Sequence, residues 1–477
     1  LLSKPTTEKT SKVLEQAGMG KTAKSSSSQP ASAGAAPKPG HGRNSAAAYR
    51  KARRIPVPHA GLTAGDRCPR CLKGKVYRQK DPALRIRVIG QAPIEATVYE
   101  LERLRCNLCG DVFEAEAPEG VGEKKYDETA AAMIALLRYG SGVPFYRLEG
   151  LEASLGIPLP SSTQWEIVAG TAMEIHPAFD ELIRQAAQGE VFYNDDTSMK
   201  ILALAAARRA ELKEASSSPD ERTGMFTSGI VSTREGKRVA LFFTGWRHAG
   251  ENFARVLAHR ADGLSPPIQM CDALSRNLPK LPKQLEILVG HCNAHARRHF
   301  VEVTANFPEE CRFVLESFGE VYGYDAQAEE QGLSAEERLR FHQRHSLPVM
   351  DELHAWLKTQ IAEKKVEPNS GLGSAIAYAI RHWDRLTLFL RQAGAPLDSN
   401  IVERALKRTI LHRKNSLFYK TENGADVGDL FMSLIHTCEL NGVNPFDYIT
   451  ALQKHAAELA RDPAAWMPWN YPAGQKP

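Results

Sequence analysis

The stretch Glu190-Val-Phe-Tyr-Asn-Asp195-Asp196-Thr197 predicts the centre of the fold, because a short apolar strand runs directly into two carboxylates. The segment from Val191 to Tyr193 favours a buried strand. Two adjacent Asp at its end are unfavourable unless a counter-charge is present, and a divalent cation is the usual compensation. Neighbouring side chains of a strand point to opposite faces, so only one of the two can face a given metal ion. The alternative is an ordinary Asp-Asp-Thr turn after a strand.

Four further strands are predicted downstream. Residues 226–232 and 238–244 are apolar segments joined by a tight turn containing Gly236, which predicts an antiparallel meander with the first strand. A helix over residues 249–259 leads to a fourth strand, 267–272, and a short helical stretch leads to a fifth, 285–291.

The predicted order of elements is β-β-β-α-β-α-β-α, which is the order of ribonuclease-H-like folds. The fourth strand, like the first, ends in a carboxylate, Asp272. In that topology the first and fourth strands lie side by side. The sequence therefore predicts an α/β fold in which the two strand-end carboxylates can share metal ions.

Composition is compatible with several folded domains. The chain has 477 residues, of which 43% are hydrophobic and 25% charged, and its net charge of +5 permits nucleic-acid binding without requiring it. It contains no apolar run of about 18 residues and no secretory signal, so we expect no membrane partner. The sequence begins with Leu1 rather than Met, which is compatible with a fragment of a longer chain.

Residues 1–60 are rich in Ser, Ala, Pro, Gly and Lys and cannot bury a core, so we expect a disordered arm. Its end is basic, with Arg43 and the cluster Arg50-Lys-Ala-Arg-Arg54. The arm is either a tail that contacts phosphates or a solvated linker.

Two C-x-x-C pairs follow, Cys68 with Cys71 and Cys106 with Cys109. Residues 85–89 and 96–101 between them alternate like hairpin strands. Two such pairs joined by strands form a thiolate cage suited to structural Zn²⁺. A redox pair or a chance spacing is the alternative.

Residues 123–189 are mainly helical in pattern, and Ser161 to Thr163 offer an N-cap for a helix beginning near Gln164. That outline fits a helix-turn-helix, or any small helical bundle.

After the fifth strand, residues 293–393 have a helical pattern that we interpret as an insertion into the α/β core. A capped helix then contains Glu403, followed by basic residues. Glu403 is either a third metal carboxylate beside phosphate contacts or half of a surface pair with Lys407. Three carboxylates in this order suggest a two-metal site, with Mg²⁺ or Mn²⁺ ions about 3.5–4 Å apart.

Several motifs together resemble the DDE transposases of insertion-sequence family 66 (TnpC type). They are the cysteine ribbon at 68–109, Pro144-Phe-Tyr-Arg147, Asn194-Asp-Asp-Thr197, Asp272, Cys292-Asn-Ala-His-Ala-Arg-Arg298, Asn400-Ile-Val-Glu403-Arg-Ala-Leu, Arg413-Lys-Asn-Ser-Leu-Phe418 and Asn441-Gly-Val-Asn-Pro445. The resemblance covers roughly residues 38–453. It implies a catalytic triad of Asp195, Asp272 and Glu403, and position matching favours Asp195 over Asp196.

The resemblance also implies the activity. We expect metal-dependent cleavage at the 3′ ends of the element and strand transfer into target DNA, with two Mg²⁺ or Mn²⁺ ions and a structural Zn²⁺. The implied partners are the terminal repeats, target DNA, further copies of the chain and companion proteins of the element, in a bacterial cytoplasm and at the nucleoid when bound to DNA. The alternatives are a DNA-binding regulator without catalysis and a ribonuclease-H-like nuclease.

Further positions are predicted to serve DNA or structure. Residues expected to neutralise phosphates are Arg297, Arg298, Arg404, Arg408, Arg413 and Lys414. Cys292 and His295 could supply half a metal site, but we favour a structural role at a strand-helix junction. The predicted domains are residues 1–60 (basic arm), 61–122 (zinc ribbon), 123–189 (helical DNA-binding segment), 190–299 (first part of the core), 300–395 (insertion), 396–453 (C-terminal core helices) and 454–477 (tail).

Overall fold

The structure is a computed structural model, and it describes residues 10–17, 54–79, 83–85, 91–109, 111–119, 121, 124–207, 224–283 and 285–471. Internal contacts divide the chain into two units, residues 22–92 and residues 1–21 with 93–477. The described part of the smaller unit contains a turn closed by a bridge between Arg67 and Lys75. The larger unit contains all the strands and helices named below.

A five-stranded mixed sheet forms the centre of the larger unit. Its strands are β3 (Val191–Met199), β4 (Met225–Arg234), β5 (Lys237–Gly245), β6 (Ile268–Cys271) and β7 (Leu288–His291), in the spatial order β5-β4-β3-β6-β7. Strands β3, β4 and β5 pair antiparallel, whereas β6 and β7 run parallel to β3. The α/β class predicted from the sequence is confirmed.

Strand β3 is longer than predicted. The sequence placed its end before Asp195, but the strand continues to Met199, because β4 pairs with its whole length. The parallel partner β6 pairs only with residues Val191 to Tyr193. The two Asp therefore lie within a strand, just beyond the point where its parallel neighbour stops.

Helices surround the sheet. They are α1 (Thr10–Gln16), α2 (Glu128–Ala135, continued by a π-turn over Leu136–Gly140), α3 (Phe145–Ser154), α4 (Ser161–Ala187), α5 (Ala249–Leu257), α6 (Asn293–Val303), α7 (Pro308–Glu330), α8 (Ala335–Ala362), α9 (Gly371–Arg381), α10 (Trp383–Leu386), α11 (Asn400–Ser416), α12 (Glu422–Leu440), α13 (Pro445–Lys454) and α14 (Ala456–Arg461). Across the described part of the chain, none of the helices has both the length and the apolar character needed to cross a membrane.

The predicted insertion is helical, as expected. Helices α6 to α10 lie between β7 and α11 in the chain, and they bury apolar side chains such as Phe318, Leu353 and Ile376 in a core of their own. This core also contacts the sheet, because Ile268 of β6 belongs to it. The insertion is therefore packed against the sheet at β6.

Two predictions about the segment before the sheet need correction. Residues 96–101 form no strand, and residues 86–89 of the other predicted strand lie outside the described residues. The observed strands are instead β1 (Arg103–Arg105) and β2 (Val112–Glu114), which flank the second cysteine pair. The side chains of residues 96–100 are exposed, so the alternation of apolar and polar residues there does not mark a strand with one buried face.

Helix α4 begins at Ser161, three residues earlier than predicted. The Ser161 side chain does not cap the helix. Instead the carboxylate of Glu149 in α3 accepts hydrogen bonds from the Ser161 backbone N–H, at 3.0 Å, and hydroxyl. Helices α3 and α4 are thus joined in a fixed arrangement.

The edge of β5 opposite β4 is covered by polar side chains of α12 and of Asn441, the residue that follows this helix. The backbone N–H groups of Ala240 and Phe242 donate to Thr437 Oγ1 and Ser433 Oγ, both at 3.0 Å. The N–H of Thr244 donates to Asp429 Oδ2 at 2.5 Å. Because these α12 side chains are spaced by four residues, one helix face satisfies alternate groups of an edge strand, which otherwise can pair with another chain.

Candidate active site

Two of the predicted carboxylates meet where the parallel strands end. Asp195 lies in β3, and Asp272 follows directly after the neighbouring β6. The side-chain amide of Asn277 lies between them, and its Nδ2 donates to Asp195 Oδ1 at 3.2 Å and to Asp272 Oδ1 at 2.5 Å. The structure therefore brings Asp195 and Asp272 together, as the strand order predicted.

This pair is electrostatically unfavourable as it stands. Burial, and then the negative charge of Asp272, raise the pKa of Asp195 to about 6. Hydrogen bonds from the Asp196 N–H, at 2.8 Å, and from Asn277 act in the opposite direction but do not offset these effects. A bound cation would relieve the repulsion, and carboxylate oxygens are the donors that Mg²⁺ and Mn²⁺ prefer. The donor set thus fits the predicted metal class.

Asp196 points to the opposite face of the sheet. Its Oδ2 lies 2.9 Å from His248 Nδ1, and its Oδ1 lies 3.4 Å from Arg276 Nη2. Asp196 is buried, so its contacts hold the start of α5 and the turn that follows β6. Its role is to position these elements, whereas Asp195 faces the second carboxylate.

Sequence reasoning did not identify Asn277. It ends a single 3₁₀ turn, Ser275–Asn277, and its backbone carbonyl accepts hydrogen bonds from Asn194 Nδ2 at 2.8 Å and Gln269 Nε2 at 2.7 Å. A polar amide shortly after a strand-end carboxylate was the available signal, but spacing alone does not distinguish it from a surface Asn. The buried amides on β3 and β6 fix Asn277 beneath both carboxylates.

The turn containing Asn277 packs closely on α5. A Cβ added at Gly250 would lie 2.4 Å from the backbone oxygen of Leu278 and 2.8 Å from that of Arg276. Only a residue without a side chain allows this approach. The position of Asn277 therefore depends on a glycine in a helix that contributes no carboxylate to the site.

The third predicted carboxylate, Glu403, approaches from α11. This helix packs on the sheet face that Asp195 occupies, because Asp195 is opposite Gly229 in β4, and Gly229 faces Leu406 and Val402. Glu403 does not join the other two directly: the carboxylate oxygens of Asp195, Asp272 and Glu403 do not all lie within 4.8 Å of one another. Instead Glu403 lies with Cys292 and His295, and ligand atoms of these three residues are within 4.8 Å.

The predicted DNA-contacting residues divide into two sets. Arg298, Arg404 and Lys414 are exposed. The other three contact the protein itself: Arg297 donates to Thr10 Oγ1, Arg408 pairs with Glu439, and Arg413 binds Thr197 Oγ1 and Ser198 Oγ. Contact with DNA remains a prediction for all six.

The two cysteine pairs lie in different units and are described separately. In the smaller unit, the Cys68 N–H donates to the Gly74 carbonyl at 2.8 Å, and the Gly74 N–H donates to Cys71 Sγ. Backbone hydrogen bonds, from Gly74 first and then from Lys73, lower the pKa of the Cys71 thiol. In the larger unit, the turn between β1 and β2 brings the Leu108 N–H to Cys106 Sγ at 3.4 Å. None of these four cysteines forms a disulfide, and the zinc site remains a prediction.

Comparisons with known proteins identify relatives. The profile described as "Transposase IS66 family" matches residues 124–427. Curated relatives from Sinorhizobium fredii include the uncharacterized proteins y4jD, 28% identical over 391 residues, and y4qI, 27% identical over 352 residues. The alignments cover 78% and 72% of this chain, and 72% and 62% of those relatives. No solved structure matches the chain significantly.

Proposed function

Because this chain belongs to the IS66 transposase family, we propose that it is a DNA transposase whose catalytic centre comprises Asp195, Asp272 and Glu403. It would cleave element ends at their 3′ termini and join them to target DNA. The observation that carries the proposal is the convergence of Asp195 and Asp272 on the amide of Asn277, just beyond the parallel pairing of the adjacent strands β3 and β6.

The sheet order supports a ribonuclease-H-like core. Three antiparallel strands are followed by two parallel ones, and β3, the first strand of the sheet in the chain, lies at its centre beside β6. Glu403 is contributed by a helix that follows the parallel strands and packs on the same sheet face as Asp195. This placement agrees with the three-carboxylate arrangement expected from the sequence.

The carboxylates would hold divalent cations, preferably Mg²⁺ or Mn²⁺. Such ions, when bound, activate the attacking hydroxyl group and stabilise the leaving oxygen. The protein's own contribution is positional. Both donors to Asp195 use its Oδ1 atom, which leaves Oδ2 as its ligand atom for a cation. Asn277 holds Asp272 in the same way, and a rotation of the flexible Glu403 side chain would bring the third carboxylate towards the pair.

Several finer features belong to the same proposal. The exposed cations Arg298, Arg404 and Lys414 would neutralise DNA phosphates. A structural Zn²⁺ would be held by Cys68, Cys71, Cys106 and Cys109, helices α3 and α4 would contact the element end, and further copies of the chain and companion proteins would complete the complex with DNA.

The test is a cleavage assay on labelled DNA that carries the terminal repeats of the encoding element. We expect Mg²⁺- or Mn²⁺-dependent 3′-end nicking that is lost in Asp195→Asn and Glu403→Gln. Glu330→Gln, at the exposed end of α7, is the matched control and should nick normally. Cleavage that persists in both carboxylate variants would refute the catalytic assignment. Binding without nicking by the unmodified chain would favour a regulator, and nicking without joining would favour a nuclease.

A further inference from the structure

The starts of helices α6 and α11 are tied together. Cys292, the residue before α6, is fully buried, and its Sγ accepts a hydrogen bond from the backbone N–H of Ser399, the residue before α11, at 3.3 Å. The Asn293 N–H donates to the Leu397 carbonyl at 3.0 Å, and its side-chain amide donates to the same oxygen at 3.1 Å. These bonds fix the first turn of α6 beside the first turn of α11.

This arrangement places His295 against Glu403. The His295 Nε2 and Glu403 Oε1 atoms are 3.6 Å apart, and the two side chains are 21% and 16% exposed. Glu403 Oε1 and His295 Nδ1 are buried and have no hydrogen-bond partner. Buried polar atoms without partners are unfavourable, and each such atom in a folded protein needs an explanation. A cation held between His295 and Glu403 would give Glu403 Oε1 the partner that it lacks.

We propose that His295 is a metal ligand beside Glu403, so that the metal position on the helical side of the site combines nitrogen and oxygen donors. The proposal rests on the proposed function, because it takes Glu403 as a metal carboxylate. Imidazole nitrogen favours first-row transition ions, whereas Mg²⁺ favours carboxylate and water. This position is therefore expected to bind Mn²⁺ in preference to Mg²⁺.

Cys292 is close enough to be considered as a third ligand, but its environment assigns it to positioning. Its sulfur already accepts the Ser399 N–H. Sulfur is also a soft donor and therefore a poor ligand for hard ions. The Cys292 side chain instead fixes the distance between the two helix starts.

Helix α6 offers a matched control. His299 lies one turn after His295 and contacts the Tyr378 ring, with centroids 4.4 Å apart. Removing this second imidazole changes the histidine content of the same helix but keeps both His295 and Glu403. His295→Gln complements His295→Ala, because glutamine retains the size and polarity of the position but lacks the imidazole nitrogen.

The experiment is electron paramagnetic resonance of Mn²⁺ bound to the full chain, with electron spin-echo modulation used to detect a directly bound ¹⁴N nucleus. We expect a nitrogen coupling in the unmodified protein and in His299→Ala, and its loss in His295→Ala and His295→Gln. Titration should show Mn²⁺ affinity reduced roughly tenfold in the His295 variants, with Mg²⁺ affinity nearly unchanged. Circular dichroism checks that each variant is folded.

Two results would overturn the inference: bound Mn²⁺ without nitrogen coupling in the unmodified protein, or a coupling that persists in both His295 variants. Neither would affect the proposed function, which is judged by Asp195-dependent cleavage in Mg²⁺. Conversely, the coupling could be lost in the His295 variants while cleavage does not depend on Asp195. That result would support His295 as a metal ligand and refute the proposed transposase mechanism.

Discussion

Replacing Asp195 with Asn tests the electrostatic description of the site in the absence of metal. Asn keeps an oxygen that can accept the hydrogen bonds from the Asp196 N–H and Asn277, but it carries no charge at any pH. In the protein, burial and the charge of Asp272 raise the pKa of Asp195 from 3.8 to about 6. A raised pKa means that the folded state binds the proton more tightly than the unfolded chain.

The sign and magnitude follow from this rise. The free energy of unfolding that the Asp195 proton contributes is fully present below a pH of 3.8 and is lost as the pH rises through about 6. This contribution amounts to at most about 3 kcal/mol. At pH 7.5 without metal, Asp195→Asn should therefore be more stable than the unmodified protein by up to that amount. Near pH 4 the two proteins should differ little.

The assay is urea unfolding of both proteins in a chelator, at pH 4.5 and pH 7.5, with Glu166→Gln as the control for loss of an exposed carboxylate. Mn²⁺ at a thousandfold excess over Kd should then reverse the order, because only the unmodified protein gains the full binding energy, about 4.1 kcal/mol. Equal stability at pH 7.5 without metal would refute the reasoning, and so would a difference independent of pH.

Three further outcomes are expected. Gly250→Ala should displace the turn bearing Asn277, lowering both the unfolding midpoint and Mn²⁺ affinity, whereas Gly150→Ala in α3, where an added Cβ meets nothing within 4 Å, should change neither. Burial raises the pKa of Asp429 from 3.8 to about 8, so the stability that its proton contributes should fall as the pH rises from about 4 to about 8, and Asp429→Asn should flatten that slope in unfolding measurements. Tyr448→Phe removes a buried hydrogen bond of 2.7 Å to a backbone carbonyl and should reduce the free energy of unfolding by about 1–3 kcal/mol.

Much of the core could be predicted from the sequence, because its strands are apolar segments with clear turn signals. The β4–β5 hairpin turns at Glu235 and Gly236, both with positive φ, as its Gly-containing sequence indicated. The continuation of β3 through two Asp could not be predicted, since it depends on pairing with β4 along the whole strand. Polar residues within a strand are acceptable when a long-range partner satisfies the backbone.

The candidate site was predictable in part, for a related reason. Strand order places Asp195 beside Asp272, so the sequence pattern was sufficient for that pair. The positions of Asn277 and His295 depend on tertiary contacts, namely a turn packed on Gly250 and two helix starts joined through Cys292. Such contacts between distant segments leave no regular spacing in the sequence.

The helical insertion has a consequence for the order in which the site is made. Asp195 and Asp272 precede it in the chain, and Glu403 follows it. At bacterial and eukaryotic translation rates, the ribosome needs roughly 7–25 s to travel from the second carboxylate to the third. During that interval the nascent protein can fold its sheet but cannot assemble three carboxylates. Under the proposed function, DNA cutting would therefore be withheld from an unfinished polypeptide until its last core helices have been synthesised.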